Sequence, residues 1–218
     1  MTFLDDAGLA HLWSKIRAAL STKQNSLTGA PGQAVGFDPT GRAVAQIGWS
    51  NPNLLDNWYF PDPINQKGRA TYLGAGYTID RWRITGRSSS LSLGTEGIRF
   101  TGTANTNWCK SYVKSSLAGQ TVTVSVLGIP LTPNGQFQAI IQTTDPAGKH
   151  TTFTANGSNG FATLTAPIPK DAVLVAAGFR TFLKNGTAFA TAAKLELGRS
   201  QTLAHQDEDG AWVLNDPP

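Results

Sequence analysis

The chain has a single cysteine, Cys109, so an intrachain disulfide and a cysteine-based zinc site are both excluded. Glutamate is almost as rare: Glu96, Glu196 and Glu208 are the whole set, and they fall in separate stretches. Glycoside hydrolysis ordinarily needs two carboxylates about 5 to 9.5 Å apart across the scissile bond, and no such pair is visible within one segment. His11, His150 and His205 are equally scattered, with no partner at metal-ligand spacing. Neither G-x-x-x-x-G-K-[ST] nor G-x-G-x-x-G occurs, and there is no G-x-S-x-G elbow. Asp80, in YTIDRWRI, reads as a carboxylate bonded to an arginine or to backbone at a strand end, not as a catalytic acid. These absences point away from an enzyme.

Charge and long apolar runs are also scarce. Charged residues make up 15% of the chain, against about a quarter in typical domains. The net charge of +4 comes from dispersed cations, densest at Arg81, Arg83 and Arg87 with Lys110 and Lys114 beyond. That is too thin for a nucleic-acid footprint. No apolar stretch approaches the ~20 residues of a membrane span. The opening MTFLDDAGLA carries two acids where a secretory signal has basic and apolar regions, so the expectation is a soluble protein with no conventional export signal.

Gly, Thr, Ser and Asn fill the gap, a mixture suited to short strands, tight turns and an uncharged polar surface. The expected fold is mainly β: an N-terminal α-helix, a short β-hairpin connector and a C-terminal antiparallel β-sandwich or jelly roll. Residues 1–22 carry Leu9, Leu12, Trp13, Ile16 and Leu20 at helical spacing, with Asp5 and Asp6 early and Lys15 and Arg17 late, which complements the helix dipole. A lone helix of this length is marginal in water. Its apolar stripe therefore packs either in an oligomeric bundle, the favoured arrangement, or on the chain's own β domain. Residues 23–50 form a Gly/Pro-rich connector with one hairpin, whose DPTG (Asp38 to Gly41) reads as a type I turn.

Residues 51–200 hold the strongest strand patterns. TVTVSVLG sets Val122, Val124 and Val126 on one face, and AAKLELG sets Ala193, Leu195 and Leu197 inward with Lys194 and Glu196 outward. With turn signals between the runs, about eight strands in two sheets are expected. NLLDNWYF (Asn53 to Phe60) reads as the opening strand, with Leu54, Leu55, Trp58 and Phe60 as core or edge cover. Residues 201–218 lose the strand pattern, regain it briefly at AWVL and read as a tail, ending at a boundary or subunit tail.

Sugar binding requires an exposed aromatic plane with amides and hydroxyls nearby. TANTNWCKSY fits best, with Asn105, Asn107, Trp108 and Tyr112 converging in one loop, although Trp108 and Tyr112 also suit the role of edge cover. Tyr72 and Tyr77, around the glycine-rich LGAG, form a weaker second candidate. No cofactor is indicated beyond a possible structural calcium, for which Asp56 and Glu196 are the candidate ligands if the first and last strands meet.

FLDDAGLAHLWSKI, the connector KQNSLTGAPGQAVGFDPTGRAVAQ, NPNLLDNWYF with PINQKG, YTIDRWRI, and KLELGRSQTLAHQDEDGAWVLNDPP occur in this order across nearly the whole chain. Taken together they resemble the tail-fibre (receptor-binding) proteins encoded by bacteriophages and prophages of gut Firmicutes. The resemblance implies a virion component, made in the host cytoplasm and acting at the bacterial surface. It further implies a homotrimer bundled through the N-terminal helix, other tail or baseplate proteins as partners, and a non-enzymatic sandwich that meets a host cell-surface polysaccharide. It transfers no binding residue. In similar proteins the last motif commonly leads into a further segment, so Pro218 is expected to mark a shortened or trimmed end. The competing readings are a purely structural fibre or baseplate spacer, a carbohydrate-binding module of a secreted glycoside hydrolase, and a depolymerase fibre. Nucleic acid and membrane insertion are not expected.

Overall fold

Alternating small and β-branched residues, punctuated by glycine turns, give a structure dominated by strands. The structure is a computed structural model and describes residues 6–23, 34–37, 43–46, 51–102, 108–113, 116–132, 136–181 and 186–215, with the helix side chains described over 8–18. The chain divides into two compact units, residues 1–49 and 50–218.

The first unit contains helix α1 (Asp6–Lys23) and the antiparallel pair β1 (Ala34–Phe37) and β2 (Ala43–Gln46), in the register Ala34 to Gln46 and Phe37 to Ala43. The turn at Asp38 to Gly41 lies outside the described residues. Leu9, Leu12, Trp13 and Ile16 are all exposed on α1, and the Arg17 guanidinium lies 5.8 Å from the Trp13 ring. The side chain of Leu20 lies outside the described residues.

The second unit is an antiparallel β-sandwich. Its strands are β3 (Thr71–Leu73), β4 (Gly76–Tyr77), β5 (Trp82–Ile84), β6 (Ser90–Gly94), β7 (Gly97–Thr101), β8 (Trp108–Val113), β9 (Thr121–Pro130), β10 (Phe137–Thr144), β11 (His150–Asn156), β12 (Phe161–Pro167), β13 (Leu174–Thr181), β14 (Thr187–Leu197), β15 (Ala204–Gln206) and β16 (Trp212–Leu214). One six-stranded sheet, the β8 sheet, has the order β11-β10-β13-β8-β5-β4. The other, the β9 sheet, runs β12-β9-β14-β7-β6-β3. The strand count thus exceeds the eight expected, because β3, β4 and β5 are only two or three residues long, the brief SLSL alternation of β6 went unread, and β8 falls in the stretch expected as a loop.

Val122, Val124, Val126 and Leu195 from one sheet meet Ile84, Cys109, Ile141 and Phe179 from the other in a single core. Phe179 touches four rings at once: Phe60, Trp82, Phe100 and Phe137, at centroid separations of 5.4–6.3 Å.

NLLDNWYF is not a regular strand. It runs along β14 through Leu54 N–H to the Leu195 carbonyl (2.8 Å), Phe60 N–H to the Thr191 carbonyl (2.9 Å) and Ala193 N–H to the Trp58 carbonyl (3.1 Å). The Asn53 amide adds bonds to the Ala193 carbonyl and the Leu195 amide. The segment covers the part of β14 that β7 leaves unpaired after Ala190. Leu55 and Phe60 are buried, and Leu54 and Trp58 pack on the core.

Residues 201–215, expected as a tail, instead close the β9 sheet from outside. β15 and β16 form a hairpin, and Leu203 and Ala204 join Phe161 and Ala192 in a second small core. Trp212 stacks on Phe161 at 4.1 Å. Lys194 and Glu196 therefore point away from the main core but are not solvated, being 3% and 0% exposed. The Thr202 hydroxyl accepts a bond from Lys194 Nζ (2.8 Å) and donates one to Glu196 (2.5 Å), while the Thr202 amide donates to the other Glu196 oxygen (2.6 Å). A buried ammonium left without its carboxylate is strongly unfavourable. Glu196→Ala is expected to lower unfolding free energy by about 3–5 kcal/mol, measurable by urea denaturation; a change below about 1 kcal/mol would show that the pair is solvated.

Candidate functional site

Strand β8, WCKSYV, alternates strictly. Cys109, Ser111 and Val113 turn inward, while Trp108, Lys110 and Tyr112 turn to the outer face of the β8 sheet. Burial holds the Cys109 thiol well above its ordinary pKa, which fits a core filler and not a nucleophile.

The register places three rows of side chains across that outer face. Tyr77, Arg83 and Lys110 are successive cross-strand partners, and the row continues through Gly178 and Ile140 to Thr154. Tyr112, Ala176, Gln142 and Thr152 form the next row, and Trp108, Arg180, Gln138 and Asn156 the one on its other side. The middle of the face is low because β13 contributes only Ala176 and Gly178 there. A Cβ on Gly178 would meet the Cys109 carbonyl at 2.2 Å and Lys110 Cα at 2.7 Å, so no larger residue fits.

Across this low strand Lys110 reaches β10, where Nζ donates to Gln142 Oε1 at 2.6 Å. Its ammonium lies 5.0 Å from the Trp108 ring and 5.3 Å from the Tyr112 ring, within cation–π range of both. In the neighbouring row Arg180 Nε donates to Gln138 Oε1 (2.6 Å), and Gln138 Nε2 donates to Asn156 Oδ1 (2.6 Å). Trp108 Nε1 is buried and has no hydrogen-bond partner among the described residues.

Beside Tyr112 the face opens into a cleft of about 440 Å³, lined among others by Lys67, Tyr77, Asp80, Arg81 and Tyr112. Tyr77 is 54% exposed and Tyr112 partly exposed. Arg81, in the left-handed region at φ 67°, sits between Asp56 and Asp80, with Nε 3.6 and 3.7 Å from their carboxylates. Asn57 braces the wall: its amide bonds the Ile64 and Asp80 carbonyls and accepts from the Ile64 amide. A second, shallower cleft of about 380 Å³ lies over Asn57, Trp58, Tyr59, Asp62 and Ile64.

Of the residues expected to bind sugar, Trp108 and Tyr112 share this face, on a strand and not in a loop; Asn105 and Asn107 lie outside the described residues. Tyr77, from the weaker candidate, joins Tyr112 in the cleft. Tyr72 is buried, with its hydroxyl on the Asn65 side chain. Lys110, Arg83, Arg180, Gln138 and Gln142 were missed. The period-two alternation of WCKSYV, with W-K-Y on one side, was the signal available for Lys110.

The two carboxylates considered for calcium are each committed elsewhere: Glu196 to Thr202 and Lys194, Asp56 to Arg81. Among the described residues no three His, Cys, Asp or Glu side chains gather as a metal site. Glu96 and Glu208 are exposed in turns, and the Asp80 carboxylate serves the Arg81 pair.

Burial, and secondarily the Arg83 guanidinium, pushes the Lys110 ammonium down from 10.5 to about 8. The unfolded chain holds that proton up to its ordinary value, so the cost to stability is full below pH 8 and fades as pH rises from 8 to 10.5. The Lys110 Cε resonance is expected to titrate with a midpoint near 8; a midpoint at 10.5 would mean that the ammonium is solvated.

No protein-family model matches the sequence, and no curated protein matches it. Among solved structures, the chain is similar to the C-terminal family 22 carbohydrate binding module of Clostridium thermocellum Xyn10B, at 19% identity over 57% of this chain and 93% of that one, with a TM-score of 0.44. The xylan-binding domain from Paenibacillus barcinonensis Xyn10C is similar at 10% identity over 70% and 98%, with a TM-score of 0.44. The enzymatically active domain of bacteriophage CBA120 tailspike protein 4 is similar at 15% identity over 66% and 21%, with a TM-score of 0.38. At scores of this size none of these likenesses bears on what the chain binds.

Proposed function

We propose that the C-terminal sandwich is a non-catalytic carbohydrate-binding module whose ligand lies in the cleft and along the outer face of the β8 sheet. The observation that carries this is the convergence of Tyr77 and Tyr112, from β4 and β8, on one cleft. Their rings supply planes for the apolar faces of pyranoses, and the amides and cations of the neighbouring rows supply orientation. Both rings are set on strands and held from below by the sheet, so little ordering is required when a sugar arrives. Asp80, the carboxylate that lines this cleft, is paired with Arg81, as is the neighbouring Asp56, an arrangement that favours binding over general-acid cleavage.

The sandwich suits two larger settings. The resemblance to phage tail fibres, and the uncovered Leu9, Leu12, Trp13 and Ile16 of α1, support a homotrimeric receptor-binding fibre at a bacterial surface. In such a trimer, weak sites gain avidity from their shared frame. A targeting module of a polysaccharide-degrading enzyme needs only the cleft and no oligomer, and the sandwich by itself supports that setting at least as well. Light scattering separates them: a trimer favours the fibre, a monomer the enzyme-borne module.

The binding reading is tested by affinity electrophoresis and titration calorimetry against plant and bacterial-wall polysaccharides. At least one is expected to bind, and Tyr112→Ala, which removes a partly exposed ring, is expected to weaken it about tenfold, equivalent to ~1.4 kcal/mol, without lowering thermal stability. Silence across the panel would leave the spacer reading in its place.

A further inference from the structure

We propose that the ligand of this face is an anionic polysaccharide, held through carboxylate or phosphate groups carried on its sugar units. This rests on the glycan-binding reading and narrows it.

The first observation is the register. Arg83 and Lys110 are direct cross-strand partners on the outer face, and Tyr77 follows Arg83 in the same row. Like charges set opposite each other destabilise a sheet, and proteins usually relieve them with a nearby acid. Here no described carboxylate lies within ion-pair distance of either cation. None of the outward positions on β4, β5, β8, β10, β11 or β13 is Asp or Glu; they are Tyr77, Arg83, the three of β8, Gln138, Ile140, Gln142, Thr144, His150, Thr152, Thr154, Asn156 and the outer residues of β13. Asp80, the acid that lines the cleft, is occupied by Arg81. The repulsion that Lys110 feels from Arg83 is therefore unrelieved in the free protein.

The second observation is an imbalance of donors and acceptors. The amide oxygens of the face are already engaged: Gln142 Oε1 by Lys110, Gln138 Oε1 by Arg180, and Asn156 Oδ1 by Gln138. Cationic donors remain in surplus, namely the further N–H groups of the partly exposed Arg83 guanidinium and of the Lys110 ammonium between the Trp108 and Tyr112 rings, neither with an acidic partner among the described residues. A neutral sugar hydroxyl donates as well as accepts and meets this surplus poorly. A carboxylate or phosphate only accepts and matches it, with charge-assisted bonds as the gain. The aromatic planes of Tyr77 and Tyr112 beside the cations distinguish the site from one for a free inorganic anion.

The test uses the full chain in 150 mM salt and calorimetric titration with polygalacturonate, its fully methyl-esterified form, xylan and a polyglycerol-phosphate teichoic acid. Polygalacturonate, teichoic acid or both are expected to bind at least about tenfold more tightly than the neutral pair. Binding confined to the galacturonan assigns a carboxylate, and binding confined to teichoic acid assigns a phosphate. Arg83→Gln and Lys110→Gln should each weaken the anionic ligand about tenfold. Arg99→Gln, the same charge change at an exposed position on the β9 sheet, should leave it within about twofold. Equal binding of esterified and free galacturonan, or of xylan, would overturn the proposal while leaving the glycan reading intact; no binding to any polymer would remove both. An equal loss in Arg99→Gln would reduce the effect to attraction by net charge and also overturn it.

Discussion

The sandwich depends on Phe179. Its ring lies against Phe100 from the opposite sheet, Phe137 and Trp82 from its own, and Phe60 from the irregular segment that precedes the strands. One side chain thus ties both sheets and the chain entry together, and dispersion among rings at these separations is the most concentrated attraction in the core. Because side chains alternate along a strand, fixing Phe179 inward fixes Gly178 and Arg180 outward. The core therefore sets the composition of the functional face, including its lowest point.

That low point explains why a lysine can be buried on the outside of a sheet. Gly178 and Ala176 leave space over β13, Lys110 crosses it to Gln142, and Trp108 and Tyr112 close over the ammonium from either side. The result is polar but not solvated, and the charge costs more there than it would in water. The opposite sheet has solved a comparable difficulty differently. Lys194 is buried as well, but with Glu196 and Thr202 beside it and the β15–β16 hairpin as a lid. One buried lysine is internally neutralised, and the other has an amide oxygen and two aromatic rings. The contrast marks the outer face of the β8 sheet as the one prepared for an external partner.

Much of the fold was legible in the sequence because period two is strong wherever a strand is long. Val122, Val124 and Val126 read directly as core, and so did Ala193 and Leu195 of AAKLELG, whereas Leu197, expected inward, is 47% exposed at the end of β14, where the sandwich stops. Short elements were not legible: β4 has two residues and β5 three, too few for any pattern, and their place is decided by pairing with β8. The irregular course of Asn53 to Phe60 was hidden because its apolar content is that of a strand, whereas it follows β14 through three widely spaced backbone bonds and the Asn53 side-chain amide. The site was half visible. Trp108 and Tyr112 were singled out as aromatics, but Lys110 between them was passed over, since lysine in a strand ordinarily points to water. Only the small residues of β13, sixty-odd positions later in the chain, make its burial possible.

The central claim is that ligand binds at the outer face and cleft of the β8 sheet. It is tested most directly by amide NMR mapping of the full chain titrated with a short acidic oligosaccharide. Shifts centred on Tyr77, Arg83, Lys110 and Tyr112, with the β9 sheet unmoved, are the predicted result. Shifts centred instead on Trp58 and Tyr59, or spread evenly over both sheets, would contradict it.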